Sequence, residues 1–81
     1  MTASAGLLKM ELTEVEMWLI DGLAIFGVER DAIVGILSVL EEESQQIELM
    51  EWMANHQEII GQGAKTTSDI LGEVARIAKA R

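Results

Sequence analysis

His56 is the one histidine of the chain, and there is no cysteine. Together these two facts remove most side-chain chemistry. Without a thiol there is no thiolate nucleophile and no sulfur ligand. One imidazole, outside any HExxH pattern or carboxylate-plus-histidine set, does not complete a zinc site. Ser4, Ser38, Ser44 and Ser68 supply hydroxyls. A serine nucleophile needs a base that is itself oriented by a third group, and no such relay is visible around His56. The expected role of His56 is structural, near the end of a helix whose negative pole favours its charged form.

Three further segments invite a chemical reading. Glu41, Glu42 and Glu43 offer oxygen ligands for a divalent cation or a docking patch for a basic partner. Consecutive helical residues point about 100 degrees apart, however, so the three carboxylates do not converge on one ion. Gly61 to Thr67, reading GQGAKTT, suggests a phosphate-binding loop. The motif needs glycines where Ile59 and Ala64 stand, and a strand ahead of it where the pattern is helical. A helix-turn-helix reading fails on charge, since the exposed side of the third helix would present Glu48, Glu51 and Glu58 to phosphates. No catalytic, cofactor-binding or metal-binding residue is therefore expected, and the chain reads as non-enzymatic.

The elements that position these residues must come from 81 residues, enough for one core. Hydrophobic residues make up 49% of the chain and its mean hydropathy is +0.23. That is more apolar side chain than a core of this size readily covers, and the surplus points to association. The net charge of -8 is uneven. Residues 1–63 carry two bases, Lys9 and Arg30, against twelve acids, whereas residues 64–81 carry four bases against two acids. The acidic body repels nucleic acid, leaving only the tail from Arg76 to Arg81 for such contacts. The longest nearly apolar run, Ala32 to Leu40, is far short of the roughly 18 residues of a membrane span, and no secretory signal pattern appears. A cytoplasmic location is expected.

With no proline and no alternating β pattern, apolar spacing of three and four predicts helices throughout. The first covers about 14–26. Thr13 and Glu16 form a capping box, Leu12 and Met17 a hydrophobic staple, and Gly27 a left-handed cap. Its core stripe is Val15, Trp18, Leu19, Leu23 and Phe26. Residues 7–11 could add a turn, and residues 1–6 are expected to be mobile. The second helix covers about 30–42. Glu41 to Glu43 favour a break there, because carboxylates suit the positive start of the next helix, with Ser44 as its cap. The third covers about 45–60, residues 61–65 form a linker, and a basic fourth helix covers about 67–79 with Thr66 as its cap. The expected fold is an all-α, single-domain bundle of four short helices, orthogonal or up-down, spanning residues 1–81.

Two family patterns touch this outline. The acidic four-helix pattern resembles small carrier proteins, whose modified serine lies in an Asp-Ser-Leu motif opening the second helix. Here that helix opens Glu29-Arg30-Asp31, and Ser38 sits in Leu-Ser-Val. The order from Phe26-Gly27-Val28 to Trp52-Met53 resembles ubiquitin-associated domains in outline. The spacing departs from theirs by about two residues and the Met-Gly-Phe loop is absent, so no site is carried over.

The remaining candidates form a face rather than a catalytic set. Met17, Ile20 and Ala24 lie off the main stripe of the first helix, and Val34 and Val39 off that of the second. Gly22 and Gly35 would permit close helix approach. The fourth helix would dock through Ile70 and Val74, on its own chain or a neighbour. The expectation is a protein-interaction or assembly module that forms a homo-oligomer. The alternative is a small nucleic-acid-binding regulator acting through the basic C-terminal helix.

Overall fold

The computed structural model describes residues 12–80 and shows an all-α bundle of four helices. α1 is Glu14–Phe26, α2 Arg30–Val39, α3 Glu43–Ala54 and α4 Ala64–Lys79, with a 3-10 turn at Gln57–Ile59 before α4. The expectations for residues 1–6 and 7–11 lie outside the described residues. Substantial packing joins α1 to α3, α3 to α4, α4 to α2 and α2 to α1, so the helices close a ring around one core. Among the described residues, no helix is long and apolar enough to cross a membrane.

α1 begins and ends as its local sequence dictates. Thr13 Oγ1 accepts from the Glu16 N–H at 3.1 Å, and the Thr13 N–H donates to Glu16 Oε1 at 2.8 Å. This reciprocal pair satisfies two donors that a helix start otherwise leaves open. At the other end Gly27 adopts φ 95°, where a side chain would be strained. Val15, Leu19, Leu23 and Phe26 face inward. Trp18, expected with them, is 55% exposed, because it falls beyond the edge of the buried stripe.

The break between α2 and α3 comes three residues earlier than predicted. α2 stops at Val39, and Leu40 turns out of the helix at φ -96° and ψ 78° while remaining fully buried. Its carbonyl is taken by the side-chain amide of Gln46, which donates at 2.8 Å. Glu42 rather than Ser44 is the N-cap of α3, and Gln45 Oε1 accepts from its N–H at 3.2 Å. The carboxylates thus stand at the positive end of α3, as their charge requires.

α3 ends at Ala54, six residues short of expectation. Three successive polar side chains compete for its last carbonyls. Asn55 Nδ2 donates to Glu51 O at 3.0 Å, His56 Nδ1 bonds Trp52 O at 2.7 Å, and Gln57 Nε2 donates to Ala54 O at 3.3 Å. Such local bonds offer the backbone an alternative to continued helix. The 3-10 turn that follows inserts Ile59 into the core.

α4 starts at Ala64, earlier than predicted, and Thr66 is not its cap. The Thr66 side chain is buried and its hydroxyl donates to Ile59 O while accepting from the Gln62 N–H at 2.9 Å. It ties the 3-10 turn to α4. Ile70, Val74 and Ile77 pack into the shared core, and Arg76 Nη2 reaches Glu48 Oε2 on α3 at 2.9 Å. α4 therefore docks on its own chain.

Candidate interaction face

Several of the residues singled out for chemistry make structural contacts. The ring of His56 stacks on Trp52 with centroids 4.2 Å apart and an interplanar angle of 17°. Its contact with a carbonyl requires the proton on Nδ1, so the imidazole acts as a second C-terminal clasp for α3. Ser38 Oγ donates to Gly35 O at 2.8 Å. Ser4 lies outside the described residues. The GQGAKTT segment does not form an open cradle: Gly61 and Gly63 turn the chain at φ 78° and 63°, and Lys65 Nζ contacts Asp69 Oδ2 at 2.9 Å. Among the described residues, no group of three histidine or acidic side chains is arranged to hold a metal ion.

Two of the bases of α4, Lys65 and Arg76, are paired with carboxylates of the same chain. Arg76 Nε donates to Glu73 Oε1 at 2.9 Å, and Glu73 is buried. Hydrogen bonds to Glu73, and then to Glu48, raise the Arg76 pKa further above its ordinary range. The guanidinium, itself more than half exposed, links α4 to α3 at the surface.

The apolar candidates divide. Ile70 is fully enclosed and Val74 nearly so, hence both belong to the core and neither presents an outer surface. Val39 is half exposed but lies about 140 degrees around α2 from Val34, on the flank toward Ala32, so it does not join the others. Gly35 meets nothing within 4 Å, whereas Gly22 is where Met53 Cε approaches, 3.5 Å from the position a Cβ would take. Of these two, Gly22 is the packing glycine.

Of the other four, Ile20, Ala24 and Val34 come together where α1 and α2 lie side by side. One hollow of 430 Å³ is lined by Ile20, Ala24, Val28, Arg30, Val34 and Leu37 among others. A second, of 410 Å³, is lined by Leu12, Glu16, Val34, Leu37 and Ser38. Val34 and Leu37 belong to both, so the hollows adjoin, and Val34, 61% exposed, stands between them as a knob. Met17, 46% exposed, extends the apolar surface along α1. Ile25, at 69% the most exposed large apolar side chain described, was not anticipated. It follows Trp18 by seven positions, two helical turns, so both lie on the same exposed side of α1.

Compared with known proteins, the chain matches no family model, no curated protein and no solved structure.

Proposed function

We propose that the protein is a non-enzymatic interaction module of the cytoplasm that self-associates through the face between α1 and α2. The observation that carries this reading is the pair of adjoining apolar hollows with the Val34 knob between them. Contiguous exposed apolar surface on a small domain costs solubility, and covering it is what association accomplishes. The absence of cysteine suits a reducing compartment. The basic-helix alternative is the less favoured reading, because Arg76 is paired with Glu73 and Glu48 and Lys65 with Asp69, which leaves Lys79 as the exposed base of α4 without an ion-pair partner among the described residues.

Light scattering across a sizing column is the test. At tens of micromolar the mass should be about twice 8.9 kDa, and Val34→Glu should return it to the monomer value. A monomer at every concentration overturns the reading.

A further inference from the structure

The two hollows are alike in volume and opposite in charge. Arg30 lines one, with Ala24 and Ile20 beside it. Glu16 lines the other, with Leu12 and Ser38. Arg30 has no ion-pair partner within 4.0 Å among the described residues. Glu16 uses one carboxylate oxygen in the capping box, which leaves its charge in place. Val34 and Leu37 sit where the hollows meet, so the charges flank an apolar centre.

We infer that the face is self-complementary: a second copy docks by a two-fold rotation about an axis passing close to Val34, which sets Arg30 of each chain opposite the partner's Glu16. The inference rests on the self-association reading and adds its geometry. A two-fold axis brings the same patch of both subunits together with its ends exchanged. A surface with a positive end, an apolar middle and a negative end matches its own rotated copy, and each knob meets the partner's hollow. The match sets opposite charges in contact locally, although each whole chain carries a net charge of -8. Charges at the rim of an apolar patch fix orientation more than they add affinity.

Disulfide trapping reads the axis directly, because the chain has no cysteine of its own. Two cysteines join only when their Cα atoms approach within about 7 Å. Val34→Cys should form an intermolecular disulfide on mild oxidation, while Ile25→Cys, on a different side of α1, should remain reduced under the same conditions. Charge exchange reads the cross-pairing. Arg30→Glu alone and Glu16→Lys alone should each weaken dimerisation by about five- to tenfold, and the double variant should return to within about twofold of the starting affinity. Glu16→Gln, which keeps a capping partner at that position, separates loss of charge from loss of the helix cap. If the native chain is a dimer but Val34→Cys stays reduced, or the double variant is no tighter than the singles, the two-fold geometry is wrong while self-association stands. If the native chain is a monomer, both fail.

Discussion

The side-chain amide of Gln46 and the carbonyl of Leu40 meet at 2.8 Å, and this contact marks the corner between α2 and α3. Leu40 is fully buried and has left the helix, so its carbonyl has no water to turn to. Gln46→Ala removes the donor and opens space in the interior. Urea denaturation should show a loss of about 2 kcal/mol. A change within the error of the wild-type curve would mean the corner is held by the packing of Leu40 alone.

Thr66 performs the matching task at the second corner. Its hydroxyl serves Ile59 O and the Gln62 N–H from a position with no solvent exposure. Thr66→Val keeps the shape and loses both bonds, which should cost about 1 to 3 kcal/mol in thermal or chemical melts. Thr66→Ser retains the hydroxyl and should fold more stably than the valine variant.

These corners were the least legible part of the sequence, for a physical reason. The Thr13–Glu16 box and the Gly27 cap depend on residues within four positions of one another, so local spacing reveals them. Gln46 and Thr66 act on carbonyls six and seven positions away, across a change of chain direction. Their partners exist only once the bundle has formed. Ile70 and Val74 were equally ambiguous, since an amphipathic stripe tells which side of a helix is apolar and not what covers it. Of the positions read as lying off the main stripes, Met17, Ala24 and Val34 are exposed, whereas Ile20 is half-buried against the core.

Leu19 and Trp18 are neighbours with opposite fates. Leu19 is fully enclosed and Trp18 is 55% exposed. Leu19→Ala should destabilise the fold by about 3 kcal/mol or more. Trp18→Ala should change monomer stability by less than about 1 kcal/mol. Comparing the two melts, with folding monitored by far-ultraviolet circular dichroism, checks the inward stripe of α1. Equal losses would mean that the indole packs as core.

Gly35 lies inside α2 with open space around the position of a Cβ. Gly35→Ala should raise stability by about 0.5 to 1 kcal/mol, because the backbone loses less freedom on folding and nothing resists the methyl group. A lower melting temperature would reveal a neighbour that needs the glycine.

Glu73 and Arg76 stand one turn apart on α4, the first buried and the second reaching beyond it to Glu48. Because both members belong to one helix, their pairing does not depend on any other element being in place. The buried carboxylate therefore keeps a counter-charge supplied by its own helix, and Glu48 of α3 shares the same guanidinium. Removing Glu48 would leave Glu73 still paired, whereas removing Arg76 would leave it buried as a lone ion.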